Sequence, residues 1–181
     1  MIKLIVFDLV GVLVREKNIE MNFEESKIEK LFGPNKCDED YIDESLKIIS
    51  NKEKLIDITI NLLDRLYEVK DVDLFNRLKK EYPDIKLSIG TNHVSFIKKF
   101  INDSFDIDYL DYIFISADIN KIKPNNDFYE EIISKTKYNP NEILFLDDNK
   151  DNIDGAVRCG LKTIKVEKNA DVFKEIKDYI K

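Results

Sequence analysis

Five short apolar runs recur along the chain: "KLIVFDL" (3–9), "IKLSIGT" (85–91), "YIFISADI" (112–119), "EILFLDD" (142–148) and "LKTIKVE" (161–167). Four of them are nearly unbroken in apolar character rather than alternating. A strand with one wet face alternates, so continuity implies burial on both faces, as in a parallel sheet covered by helices. Helix-period patterns fill the gaps. "DLFNRLKKEY" (73–82) precedes the second run, "VSFIKKFIN" (94–102) follows it, "NDFYEEIISK" (126–135) follows the third and "NIDGAVRCG" (152–160) follows the fourth. Strand and helix in alternation predict an α/β fold, a doubly wound, Rossmann-like parallel sheet of five strands.

Between the first run and the helix at 73–82 the chain carries an insertion, residues 16–70, too long for a strand–helix loop. Its stretches "FEESKIEKLFG", "YIDESLKIIS" and "KEKLIDITINLLDRLYEV" have helical spacing, and none has a strand pattern. Residues 1–15 and 71–181 are therefore expected to form the α/β core, with 16–70 as a helical cap over the end of the first strand. The C-terminal "DVFKEIKDYIK" places Val172, Phe173, Ile176, Tyr179 and Ile180 at helical spacing with mixed charges around them. That pattern predicts a helix packed on the sheet rather than one lying on a membrane.

A net charge of −7 leaves no basic stripe to neutralise phosphates, which argues against a nucleic-acid partner. No apolar run is long enough to span a bilayer. Asp8 interrupts the first run, only Lys3 precedes it as a basic residue, and no small-residue cleavage site follows, so a secretory leader is not expected. Cys37 and Cys159 lie far apart without metal-ligand spacing, which suits free thiols in a reducing cytoplasm.

The candidate chemistry lies at strand ends. Asp8 closes the first run, and Asp147 with Asp148 closes the fourth. If those strands are neighbours, three carboxylates converge at the C-terminal edge of the sheet, where open α/β folds place their sites. Such a cluster calls for a cation, and its hard oxygen donors suit Mg²⁺. Thr91 and Asn92 at the mouth of the second strand offer a hydroxyl and backbone donors to an anion. Lys123 precedes Pro124, which fits the first turn of a helix, so lysine and helix N-terminus are expected to add their positive potential. A metal, a carboxylate nucleophile, anion donors and a lysine together suit phosphoryl transfer through an aspartyl-phosphate.

In four motifs, "FDLVGVL", "GTN", "KIKPNNDFY" and "LFLDDNKDNIDGA", in order and at strand ends, the chain resembles the haloacid dehalogenase-like (HAD) hydrolase superfamily. The resemblance covers the core, and the insertion sits where helical caps of that family sit. It implies Asp8 as nucleophile, and Mg²⁺ held by Asp8, the Val10 carbonyl and Asp148. Thr91 and the Asn92 amide would hold the phosphoryl oxygens, Lys123 would neutralise Asp8 and the phosphate, and Asp147 would orient Lys123 or a metal-bound water. The departure is Val10, where most phosphatases of the family carry an aspartate that protonates the leaving oxygen and then activates water. Valine can do neither.

Three functions are compatible with that departure. The first is an Mg²⁺-dependent phosphatase acting on a small phosphorylated metabolite with a good leaving group. Similarity to the α-D-glucose-1-phosphate phosphatase branch, through "DDNKDNIDGA" and the "KP…FY" stretch, points to a sugar 1-phosphate. The second is a carbon–halogen or carbon–phosphorus hydrolase, with Arg65 as the cap arginine available to receive a halide. The third is a non-catalytic module that binds a phosphorylated ligand. His93 lacks a partner for nucleophilic catalysis and is expected to line or underlie the pocket, and Arg15 reads as a surface arginine.

Overall fold

The computed structural model describes residues 1–33 and 37–180; Pro34, Asn35 and Lys36 of the insertion, and Lys181 at the end of the C-terminal pattern, lie outside them. The chain runs β1 (Leu4–Phe7), β2 (Val14–Glu16), α1 (Phe23–Glu29), α2 (Asp38–Leu46), α3 (Lys52–Leu66), β3 (Tyr67–Val69) and α4 (Leu74–Glu81). It continues with β4 (Lys86–Thr91), α5 (Ile97–Ser104), β5 (Tyr112–Ile115), α6 (Ser116–Ile119), α7 (Asn126–Thr136), β6 (Ile143–Asp147), α8 (Lys150–Arg158), β7 (Lys162–Lys165) and α9 (Val172–Ile180).

Five strands form one parallel sheet in the order β5-β4-β1-β6-β7. The expected strand at 112–119 is shorter than its apolar pattern. It leaves the sheet at Ile115, opposite the last residue of β4, and Ser116–Ile119 turns into a short helix closed by Asn120 in the left-handed region. Every side chain of β1 is buried. Ile5 and Phe7 join one apolar layer with Leu87, Ile89, Leu144 and Leu146. Leu4 and Val6 join the other with Phe128, Tyr129, Ile132 and Phe145. The period-two split of one strand between two cores is what makes its sequence continuously apolar.

The insertion is helical, held by short-range polar chemistry and an apolar face. Asn22 caps α1 in a reciprocal box with Glu25, and Asn51 caps α3 by accepting from the Lys54 N–H. Leu55, Thr59, Leu62 and Leu66 form the buried stripe of α3 at helical spacing. Arg65 binds Glu25 at 2.6 Å and the Glu20 carbonyl at 2.8 Å, so its guanidinium is spent tying α3 to α1. The expectation that 16–70 holds no strand is corrected at its edges. β2 and β3 pair antiparallel, Val14 with Val69 and Glu16 with Tyr67, as a ribbon that joins both ends of the insertion to the core. Three residues are too few to display a periodicity, which is why the ribbon leaves no pattern.

Candidate active site

Because β1 lies between β4 and β6, the chain moves to one side after β1 and to the other after β5. The C-terminal ends of these three strands flank the reversal in strand order, where α/β sheets open a crevice. Asp8 follows β1, Thr91 ends β4 and Asp147 ends β6. Lys123 arrives from the loop before α7. Its side chain is 1% exposed, and the ammonium lies 2.9 Å from Asp8 Oδ1 and 2.7 Å from Asp147 Oδ2. The lysine is not at a helix N-terminus as its sequence suggests: Asn125 is the N-cap of α7, and Pro124 stands outside the helix, joined to Lys123 by a cis peptide bond.

Two asparagines hold this arrangement. The Asn92 amide donates to the Lys123 carbonyl and accepts the Lys123 N–H, both at 2.9 Å, so the side chain clamps the lysine's own peptide groups. Asn152 donates to both oxygens of Asp147 at 3.1 Å, and the Asn149 N–H adds a bond of 2.9 Å to Oδ1. Asp147 is therefore committed to Lys123 and the start of α8. Sequence reasoning missed both clamps. Asn152 had a signal, since it lies one helical turn past the Asn149 cap and faces back to the strand end, whereas the Asn92 side chain had none.

Ligand oxygens of Asp8, Asp147 and Asp148 come within 4.8 Å of one another. One ammonium among three carboxylates leaves an excess of negative charge. Burial is the main force raising the pKa of Asp8 to about 7; Lys123 opposes it and the Asp147 charge adds to it. Burial would lower the pKa of Lys123, but Asp8 and Asp147 outweigh it and hold the lysine protonated. Burial and then Asp147 raise Asp148.

The turn after Asp8 fits a cation as well. Gly11, at φ +92°, brings its backbone so close to Asp148 that a Cβ there would stand 2.3 Å from a carboxylate oxygen. Only glycine permits that approach. With Asp147 bonded elsewhere, the carboxyl oxygens of Asp8 and Asp148 and the backbone of this turn are the donors available to an ion. Hard oxygens of this kind suit Mg²⁺. Val10, half-buried, packs against the core and lines the cleft beside Asp148, offering no titratable atom.

His93 lies beneath the site rather than in it. Its Nε2 meets the Tyr67 hydroxyl at 3.0 Å, its ring packs on Phe32, and its peptide groups exchange bonds with the Ser116 hydroxyl. Burial lowers its pKa to about 4. A depressed histidine keeps its contribution above its unfolded pKa and loses it as pH falls. Stability is therefore expected to drop by up to about 3 kcal/mol between pH 6.5 and 4 through this residue. The measurement is Tm against pH for wild type and His93→Gln, with a flatter acid limb in the variant; equal slopes would count against it. Arg15 is exposed and paired with Glu68 at 2.7 Å across the ribbon, as a surface arginine.

Residues 5–166 match the family described as haloacid dehalogenase-like hydrolase. The bifunctional epoxide hydrolase 2 proteins of Rattus norvegicus and Mus musculus are 32% identical over 68 residues, 38% of this chain and 12% of theirs. The chain thus matches about an eighth of the length of these relatives. Among solved structures, a HAD-like hydrolase from Porphyromonas gingivalis is similar over 100% of this chain and 98% of its own, at TM-score 0.74 and 22% identity. A HAD family enzyme from Bacteroides thetaiotaomicron, solved with magnesium and inorganic phosphate, aligns over 95% of this chain and 98% of its own, at TM-score 0.72 and 16% identity. A predicted phosphoglycolate phosphatase from Haemophilus somnus covers 99% of this chain and 98% of its own, at TM-score 0.68 and 18% identity. These likenesses show a shared fold. Among the described residues no helix is long and apolar enough to cross a membrane.

Proposed function

The chain belongs to the haloacid dehalogenase-like hydrolases, and from that premise we propose that it is an Mg²⁺-dependent phosphatase of small phosphorylated metabolites, acting through a phosphoryl group on Asp8. The observation that carries the reading is the buried lysine bridging Asp8 and Asp147, at 2.9 and 2.7 Å, with Asp148 alongside. A pure binding site has no use for a carboxylate held at the mouth of the crevice with one oxygen fixed. Asp8 Oδ1 accepts from Lys123 and, at 2.7 Å, from the Leu9 N–H, which leaves Oδ2 as the nucleophile. A bound Mg²⁺ would supply charge neutralisation for the phosphoryl oxygens, held by Asp8, Asp148 and the Val10 carbonyl.

In the first half-reaction an Asp8 oxygen forms a bond to phosphorus while the ester oxygen leaves with its electron pair. Thr91 and the Asn92 N–H hold the transferring oxygens, and Lys123 balances the charge that Asp8 and the phosphoryl group share. In the second, water adds to the phosphorus and Asp8 is released. Val10 gives the leaving oxygen no proton, a help worth about 10²–10⁴ in rate where a general acid exists. Substrates with good leaving groups tolerate the loss, and we place a sugar 1-phosphate in that class. The helical insertion, 16–70, acts as the cap that selects the substrate over a core of 1–15 and 71–181. Free Cys37 and Cys159 suit a reducing cytoplasm, where we place the protein.

The test is turnover of p-nitrophenyl phosphate with and without Mg²⁺, extended to phosphate esters of rising leaving-group pKa. Hydrolysis is expected only with Mg²⁺, with a rate that falls steeply along the series. Equal rates along the series, with chemistry rate-limiting, would mean that another residue supplies the proton. Halide release without metal would point to a dehalogenase instead, a reaction for which Arg65 is unsuited while it is bound to Glu25 and the Glu20 carbonyl. Absence of any turnover with tight phosphate binding would point to the non-catalytic module.

A further inference from the structure

Beside Asp148 the structure opens a cleft of about 900 Å³, floored by Val10 and Gly11 and walled by Lys70 and the segment after β7. Four cations line it: Arg15, Lys70, Lys165 and Lys168. Two are already neutralised, Arg15 by Glu68 at 2.7 Å and Lys165 by Glu167 at 2.5 Å. The half-buried ammonium of Lys70 binds only neutral acceptors among the described residues, the Gly11 carbonyl and, at 3.5 Å, the Lys168 carbonyl. The Lys168 side chain, exposed at the same rim, has no ion pair among the described residues. The lining carboxylates are Glu167, Glu16 and Asp148. Glu167 is paired with Lys165; Glu16 sits at the outer end of the ribbon, close enough to raise the pKa of Glu29; and Asp148, near enough to Lys70 for their charges to interact though not bonded to it, belongs to the proposed metal site.

Lys70 thus brings a positive charge, bonded to neutral carbonyls alone, next to the turn that carries Val10, in a chain whose net charge is −7. It comes from the last turn of the ribbon that joins the insertion to the core, immediately after Val69. Opposite charges across a cleft set which ligand enters, and one desolvated charge-assisted bond discriminates more than any contact at an open surface.

We infer that this cleft is a second-anion subsite: Lys70, assisted by Lys168, holds a carboxylate or second phosphate carried by the leaving group of the substrate. The inference rests on the phosphatase reading and narrows its substrate class to phosphomonoesters with two anionic groups. A second anion seated here lies on the side of Val10, so its pairing with Lys70 also offsets charge that develops on the leaving fragment in a site with no acid.

The test uses the 181-residue chain carrying Asp8→Asn in Mg²⁺, so that ligands bind without turning over, and reads affinity by calorimetry for two matched pairs. Glycerol 2-phosphate against 2-phosphoglycerate adds a carboxylate; glucose 1-phosphate against glucose 1,6-bisphosphate adds a phosphate. In at least one pair the doubly anionic member is expected to bind about tenfold tighter or more. Which pair responds identifies the source of the anion. Lys70→Met should abolish that preference, Lys70→Arg should keep it, and Lys168→Met, at an exposed position, should reduce it. No preference in either pair, a preference that survives Lys70→Met, or an equal loss for both members of a pair overturns the inference. The last result would mark the loss of the Gly11 contact alone. Wild-type turnover of p-nitrophenyl phosphate, which carries no second anion, reports separately on the phosphatase reading.

Discussion

Lys123→Met is expected to remove turnover and to destabilise the fold by about 3–5 kcal/mol, the range for stripping one partner from a buried ion pair. The lysine side chain is buried, and its ammonium lies between Asp8 and Asp147, themselves almost wholly buried. Methionine fills a similar volume but leaves two facing carboxylates without a cation. The cost should depend on pH in a definite direction. Burial already holds the pKa of Asp8 above its ordinary range against the opposing charge of Lys123, and without the ammonium it rises further. Stability is then retained at low pH and lost as pH rises, so the variant should lie closer to wild type at pH 5 than at pH 8. Saturating Mg²⁺ should restore part of the loss by supplying charge to the same cluster. Denaturant melts at the two pH values, with and without Mg²⁺, check this. A variant as stable as wild type at pH 8 would mean that the lysine is not what balances the two carboxylates.

Asp8→Asn is expected to behave in the opposite way. Turnover should fall by at least about 10³-fold, because an amide cannot form the acyl phosphate. Stability should hold or rise. Ionised Asp8 is disfavoured by burial, as its raised pKa reports, and an amide of the same shape removes that charge. Functional sites commonly sacrifice stability in this way. Thermal melts of metal-free protein at pH 8 should therefore place Asp8→Asn at or above wild type, and Mg²⁺ should stabilise it less than it stabilises wild type. A variant that melts well below wild type, or one that keeps its activity, would remove Asp8 from the role of nucleophile.

The contrast between these two residues reflects what could be read in the chain and what could not. The five-stranded core is legible because burial on both faces forces β1, β4 and β6 into continuous apolar runs, and the acids that end two of those runs stand out against them. The same continuity misleads at 116–119, where an apolar pattern persists after hydrogen bonding to β4 has ended and the Ser116 hydroxyl has been drawn to the peptide groups of His93. The β2–β3 ribbon is illegible because three residues carry no period. Lys123 stands out by the proline beside it, yet what holds its charge is not the helix N-terminus that the proline suggests but two carboxylates contributed by different strands. The clamp of Asn92 on Lys123 spans 31 residues and the bond of Lys70 to Gly11 spans 59. Contacts of that range follow from the crossing of the chain, and a single sequence does not display them.

On the proposed reading Asp8 accepts a phosphoryl group in an Mg²⁺-dependent reaction despite Val10, and that adduct can be trapped. The most direct measurement is acid quenching of wild type during turnover of p-nitrophenyl phosphate, followed by mass spectrometry of the peptide that contains Asp8. The expected result is the mass of one added phosphoryl group on that peptide, present with Mg²⁺, lost with chelator and absent from Asp8→Asn. Turnover that proceeds with no phosphoryl group trapped on Asp8, or a modification that persists in Asp8→Asn, would contradict it.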